Sequence, residues 1–301
     1  MSEHAGSPSD DVTQVPGTAR NGAVELAYER AGPEGGEPLL LVMGLGMQMH
    51  FWHDDLVAEL VRCGFTPARF DNRDVGGSTH LRRRGAPSLP ALLAAPQRVA
   101  PYRISDMAAD AVAVLDALGW ESAHVLGVSM GGMIAQTVAI EHPHRVRSLT
   151  SIMSTPSPRI GRPALGAVAA LAARPGRSPE EAAERIVRTF RVIGSPGYPL
   201  DELWLREYAH RAFARGHNPS GVRRQLAAIN ASPSRAPGLR RVRVPTLVVH
   251  GEEDPLVRVA GGRATAAAVP GARLVTYPGM GHNLPRELWG SVVGEIAALV
   301  R

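Results

Sequence analysis

Short apolar runs rich in branched residues recur along this chain, as in Leu39-Leu40-Leu41-Val42, Ala123-His124-Val125-Leu126, Thr246-Leu247-Val248-Val249 and Arg273-Leu274-Val275-Thr276-Tyr277. Runs this short, bounded by turn residues, suit strands buried on both faces. The pattern predicts strands near residues 24–28, 39–43, 67–70, 123–128, 148–153, 246–249 and 273–277. Helical periodicity fills the intervals, including 104–118 and 288–300, so the sheet is expected to be mostly parallel with helices on its flanks. Between 155 and 237 the strand signal stops. Ser178-Pro179-Glu180-Glu181 reads there as a capping box with proline in the first turn, opening an amphipathic helix to residue 193. Leu203 and Trp204 with Tyr208 and Ala212 form a second stripe, and Asn218-Pro219 can open a third helix.

The expected organisation is therefore an α/β core in two parts, 22–154 and 238–301, interrupted by a helical cap over 155–237. Residues 1–21 are polar and read as a disordered tail. The basic, proline-rich stretch 80–103 reads as a surface excursion, with Phe51 and Trp52 anchoring the helix before it.

Gly127-Val128-Ser129-Met130-Gly131 carries the strongest chemical signal. An apolar run precedes it and a helix-forming segment follows until Pro143, so the serine sits on a sharp strand-to-helix turn. Small flanking residues let that strained turn form. Further along, Asp254 follows the strand at 246–249, and Gly279-Met280-Gly281-His282 follows the strand at 273–277. Nucleophile, acid and base in that order, each after a strand's carboxyl end, is the arrangement of a serine hydrolase built on a parallel sheet. A serine hydroxyl is a weak nucleophile at neutral pH and needs an adjacent base. His282 would take its proton and return it to the leaving group, and Asp254 would hold the imidazole's tautomer. Glu252 and Glu253 compete for the acid's place; Asp254 is preferred because Asp-Pro-Leu opens the next segment. The strand at 148–154 ends without a carboxylate, which removes an alternative position for the acid.

A tetrahedral intermediate needs two donors. One is the backbone N–H of Met130, directly after the nucleophile, and the other a main-chain N–H in Met43-Gly44-Leu45-Gly46, assigned to Leu45. Gly44, Met47, Gln48 and Met133 lie near these elements in sequence and are substrate-pocket candidates. Methionines suit an irregular apolar group. A cap over the sheet's carboxyl edge would shape the pocket. Trp204, Tyr208 and Phe213 would line it or pack the cap onto itself.

These motifs resemble the α/β-hydrolase superfamily from about residue 22 to the end of the chain. Phe70-Asp71-Asn72-Arg73-Asp74-Val75-Gly76-Gly77-Ser78-Thr79, the Met-Gly loop and Gly279-Met280-Gly281-His282 are similar to bacterial serine esterases of the aclacinomycin methylesterase type. Many relatives carry His-Gly where this chain has Met43-Gly44. The resemblance implies an α/β-hydrolase fold and hydrolysis of a small-molecule carboxylic ester, such as the methyl ester of a hydrophobic metabolite. A lactonase, a carbon–carbon bond hydrolase, a cofactor-free perhydrolase and a ligand receptor with negligible turnover share the same scaffold. Within the 70–79 block, Asp71 and Arg73 are expected to satisfy backbone groups and each other.

Composition narrows the field. All 33 basic Lys/Arg positions are arginine, so a Walker lysine and a lysine Schiff base are excluded. The net charge of +5 is modest for 301 residues. Arg82-Arg83-Arg84 and Arg240-Arg241-Val242-Arg243 lack interleaved aromatics, so nucleic acid is not an expected partner. Gly44-Leu45-Gly46 lacks the third glycine of a dinucleotide fingerprint, and there is no His-Glu-x-x-His pattern, so neither cofactor nor metal is expected. No apolar stretch approaches the roughly 20 residues of a membrane span. The single Cys63 forms no internal disulfide, fits a reducing cytoplasm, and reads as a buried packing residue. The oligomeric state is not written in these patterns.

Overall fold

The computed structural model describes residues 13–300. Its strands are β1 (Gln14–Asn21), β2 (Val24–Ala31), β3 (Glu37–Val42), β4 (Phe65–Phe70), β5 (Ala123–Val128), β6 (Val146–Ile152), β7 (Thr246–Gly251) and β8 (Arg273–Tyr277). The helices are α1 (Asp54–Arg62), α2 (Leu89–Ala94), α3 (Pro96–Val99), α4 (Ile104–Ala117), α5 (Met130–Glu141), α6 (Leu165–Ala172), α7 (Pro179–Ile193), α8 (Glu202–Gly216), α9 (Pro219–Ala231), α10 (Ala236–Leu239), α11 (Ala260–Ala268) and α12 (Trp289–Val300).

The strands form one sheet in the order β1-β2-β4-β3-β5-β6-β7-β8. The β1/β2 and β2/β4 pairs are antiparallel, and every later pair is parallel. Alternation along β3 shows how both faces are covered. Leu40 and Val42 pack with Met107, Val114, Ile134 and Val138 of α4 and α5. Leu39 and Leu41 pack with Leu56 and Leu60 of α1 and Val292 and Ile296 of α12 on the other face. Successive side chains point to opposite faces, so a run of apolar residues is what a sheet covered on both sides requires.

The helix starts follow from their caps. The Ser178 side chain accepts the Glu181 N–H at the head of α7, Asp201 accepts the Trp204 N–H at α8, and Asn218 accepts the Gly221 N–H at α9. Proline occupies the first turn of α7 and α9, where its missing N–H costs nothing. Helices α6 to α10 fill the chain between β6 and β7. This insert has its own core, in which Val187, Phe190 and Ile193 of α7 meet Leu205, Tyr208 and Ala209 of α8. Among the described residues, no helix is long and apolar enough to cross a membrane.

Two expectations need correction here. The tail expected over 1–21 is too long. Residues 14–21 form β1, which pairs with β2 through a turn at Gly22, where φ is +58°. Ala19 is buried, and the Asn21 side chain donates to Asp110 of α4 at 2.9 Å. Pro16 and Gly17 disguise the strand, yet both are tolerated at a sheet edge. The remainder of the expected tail, 1–12, lies outside the described residues. Cys63 is exposed, not buried. It stands just past α1, whose buried face is Leu56, Val57, Ala58 and Leu60.

Candidate active site

Strands β3, β5, β6, β7 and β8 run parallel, so the loops after their carboxyl ends gather along one edge of the sheet. Ser129 stands between β5 and α5 with φ 57° and ψ −118°, a conformation costing on the order of 1–3 kcal/mol for a residue with a side chain. Its neighbours must be glycine because the chain closes on itself. A Cβ at Gly127 would lie 2.1 Å from the Gly131 carbonyl oxygen, and a Cβ at Gly131 would lie 2.0 Å from that of Val42. Hydrogen bonds hold the strained turn: the Ser129 N–H donates to the Ile152 carbonyl, and Ser154 Oγ donates to the Ser129 carbonyl, both at 2.8 Å.

Ser129 Oγ lies 3.0 Å from His282 Nε2, and His282 Nδ1 lies 2.7 Å from Asp254 Oδ2. Asp254 and His282 are buried. The other Asp254 oxygen accepts the N–H groups of Leu256 and Val257 at 2.8 and 2.9 Å. A carboxylate so engaged accepts from Nδ1–H, which leaves the Nε2 lone pair to receive the Ser129 hydroxyl proton. The rival acids point elsewhere. Glu252 accepts from the Thr276 hydroxyl, Glu253 accepts from the Gly279 N–H, and both are exposed.

A second histidine, read from the sequence only as part of a strand, lies behind Asp254. His250 is fully buried, with Nε2 2.6 Å from the Val257 carbonyl and 3.6 Å from Asp254 Oδ2. Burial outweighs that hydrogen bond and the Asp254 charge and holds its pKa below the usual value. A Cβ at Gly262 would fall 2.5 Å from His250 Nδ1, so the helix after the acid leaves room for the ring only as glycine.

The loop after β3 comes up against Ser129. A Cβ at Gly44 would lie 3.3 Å from Ser129 Cβ. Within this loop the Gly46 N–H donates to Gln225 Oε1 at 2.8 Å and the Met47 N–H to the Gly44 carbonyl at 3.4 Å. Met130 is buried at the head of α5.

Of the pocket candidates, Gly44 is brought to Ser129, and the others make the following contacts within the fold. Gln48 is committed within the fold: its Nε2 donates to the Ala212 and Gly216 carbonyls, and its Oε1 accepts from Arg215 Nη1 at 2.7 Å. Tyr208 accepts the Gln48 N–H at 2.9 Å and donates to Met47 Sδ at 3.7 Å. Trp204 joins Tyr208, Phe51 and His53 in an aromatic cluster, with centroids 5.1–5.7 Å apart. Met133 of α5 is buried in the core, and Phe213 stacks on His217. Among the described residues, no group of three His, Cys, Asp or Glu side chains is arranged to hold a metal ion.

Sequence reasoning missed the joints between the insert and these loops. His282 donates its N–H to the Ile193 carbonyl at 2.7 Å, and Ser195 Oγ accepts the Gly281 N–H and donates to Asn283 Oδ1. Asp71 accepts the Met49 and Gly77 N–H groups and pairs with Arg215 of α8 at 3.0 Å. Arg73, expected beside Asp71, instead forms a two-bond pair with the buried Asp110 at 2.5 and 2.7 Å. The reason is distance along the chain: these partners sit on separate elements and share no local motif.

Residues 37–285 match the model of the alpha/beta hydrolase fold family. Among curated proteins, the chain is similar to rhodomycin D methylesterase DnrP of Streptomyces peucetius, at 29% identity over 93% of this chain and 96% of that protein. It is also similar to the putative carbamate hydrolase RutD of Variovorax paradoxus, at 30% identity over 85% and 89%. The solved enol-lactonase of Burkholderia xenovorans LB400 superposes with a TM-score of 0.71 at 23% identity, covering 94% of this chain and 99% of that one. With the family's model spanning strands β3 to β8 and the edge where Ser129, Asp254 and His282 meet, this chain belongs to the alpha/beta hydrolase fold family.

Proposed function

We propose that this protein is a cofactor-independent serine hydrolase that cleaves carboxylic esters through an acyl-enzyme. The carrying observation is the unbroken line of hydrogen-bonding distances from Ser129 through His282 to Asp254, 3.0 and 2.7 Å. In this reading Ser129 Oγ attacks the ester carbonyl as His282 Nε2 takes its proton. The tetrahedral oxyanion is met by the N–H groups of Leu45 and Met130. Gly46 and Met47 have already spent their N–H groups, which supports assigning the donor to an earlier residue of that loop. Collapse expels the alcohol, protonated by His282. Water then gives a proton to His282 and attacks the acyl carbon, and the proton returns to Ser129 as the acid leaves. Asp254 holds the imidazole's tautomer and stabilises the imidazolium.

Helices α6 to α10 act as a cap whose joints reach both the histidine loop and the oxyanion loop. A methyl ester of a hydrophobic metabolite is the favoured substrate, supported by similarity to two rhodomycin D methylesterases. A lactone, a cyclic ester open to the same acyl chemistry, is the second reading. It is favoured by similarity to a 3-oxoadipate enol-lactonase at 29% identity over 80% of this chain.

Steady-state kinetics on p-nitrophenyl esters of graded acyl length, on methyl esters and on lactones test the reading. Ser129→Ala and His282→Ala are each expected to lower turnover by roughly 10³-fold or more. Retention of a tenth of wild-type turnover in either variant would refute it.

A further inference from the structure

The oxyanion loop is held from one side by the nucleophile turn and from the other by the cap. Gly46, at φ +70°, lies directly against α9: a Cβ there would meet Val222 Cγ2 at 3.0 Å. One turn further along, fully buried Gln225 accepts the Gly46 N–H at 2.8 Å. Its amide is oriented by its other end, since Nε2 donates to the Arg73 carbonyl at 2.8 Å. Arg73 is anchored in turn by buried Asp110. Both polar ends of Gln225 are thus spent on backbone groups, one in the oxyanion loop and one in the turn after β4. A rigid line runs from Asp110 and Arg73 through Gln225 and Gly46 to Leu45 and Gly44, which abuts Ser129.

Resting on the serine-esterase reading above, we infer that Gln225, a cap residue, is the positioning residue of the oxyanion hole, aiming the Leu45 N–H by fixing the peptide that follows it. An oxyanion donor stabilises the transition state only when aimed at the oxyanion's position, and losing one donor costs on the order of 10²–10³ in turnover. A loop freed at Gly46 keeps the donor but loses its aim, and a displacement of about 1 Å can cost about 10²-fold. Gln225 touches neither the substrate nor the reacting atoms, so its effect falls on kcat and not on substrate binding. Cap and catalysis are coupled by this contact: an α9 that moved away would carry Gln225 off and disarm the hole.

The test uses Gln225→Met, which keeps the side chain's length and removes both hydrogen bonds, and Gln225→Asn, one methylene too short to bridge the two partners. Each full-length variant is measured for kcat and KM on a p-nitrophenyl ester, for inhibition by a trifluoromethyl ketone, and for competition by the acid product. The ketone adds Ser129 and places an oxyanion in the hole; the acid does not. Expected are a fall in kcat of about 10- to 100-fold, KM within about threefold of wild type, a matching loss of ketone affinity and unchanged product affinity. A folded variant with wild-type kcat and ketone affinity would overturn the inference. If neither variant folds, amide exchange of the wild-type protein decides: Gly46 is expected to be strongly protected, and rapid exchange there would overturn the proposed hold on the loop. Failure of the esterase reading looks different, because wild-type protein would then show no Ser129-dependent turnover.

Discussion

Arg224 of α9 and Asp74 of the turn after β4 form a buried pair that pins the insert to the core, and its removal should be costly in a defined way. Arg224 Nε and Nη2 reach the two Asp74 oxygens at 2.8 and 2.6 Å, and neither residue has measurable exposure. Arg224 Nη1 also donates to the Gly85 carbonyl, while Asp74 accepts from the Tyr102 hydroxyl at 2.7 Å and the Leu81 N–H at 2.8 Å. Burying such a pair intact is roughly neutral against an apolar pair of similar volume, but stranding one charge costs about 3–5 kcal/mol. Asp74→Asn isolates that effect, because asparagine tolerates the φ of +74° found there and keeps the side chain's shape. In urea titration, the midpoint should fall by roughly 1–2.5 M for an m-value near 2–3 kcal/mol/M.

Asp74→Asn combined with Arg224→Met should recover roughly 2 kcal/mol relative to the sum of the single losses. The same pair sets an acid limit. Burial alone would raise the Asp74 pKa, but the bonds from Arg224, Tyr102 and Leu81 hold it below its ordinary 3.8. Its contribution is therefore fully present above the unfolded value and lost as pH falls through the depressed folded value. Wild-type stability should drop more steeply than the double variant's below about pH 4. Single variants costing under about 1 kcal/mol, or a double variant no better than the sum, would refute this account of the pair.

Other consequences are equally direct. Gly127→Ala and Gly131→Ala each place a methyl within about 2 Å of a backbone carbonyl; soluble protein labelled by a fluorophosphonate at the wild-type rate would contradict that clash. Asp254→Asn should lower kcat by roughly 10³–10⁴-fold, with Glu252→Gln and Glu253→Gln near wild type in the same ester assay; the opposite ranking would move the acid. Replacing residues 155–237 with a short linker should abolish fluorophosphonate labelling of Ser129, because Ile193, Ser195 and Gln225 hold the loop of His282 and the loop after β3. Cys63 should react with a thiol reagent in the native protein at a rate close to that in denaturant, since it is exposed; protection would place it inside.

Much of the site was legible because each of its parts is announced locally. A strand, a Gly-x-Ser-x-Gly turn and a helix occupy adjacent positions, and Asp254 and His282 each follow a strand directly. Parallel strand order then brings their loops to one edge without further information. The joints of the insert were illegible for the opposite reason: Gln225 meets Gly46 across 179 positions, and Arg224 meets Asp74 across 150. No periodicity or motif links residues so far apart. Gln48 too meets its partners only in the folded chain, where its amide is spent on α8. Strand β1 escaped because proline, glycine and polar residues dominate an edge strand with little buried surface, although Asn21-Gly22 before an alternating run signals its turn.

During turnover Ser129 should carry the acyl group. Rapid acid quenching of the wild-type protein with a p-nitrophenyl ester, followed by intact mass and peptide mapping, reveals where the acyl group sits. Expected is one acyl group per chain, on the peptide bearing Ser129, formed in step with p-nitrophenol release and absent from Ser129→Ala. Turnover with the acyl group on another residue, or undiminished turnover in Ser129→Ala, would contradict it.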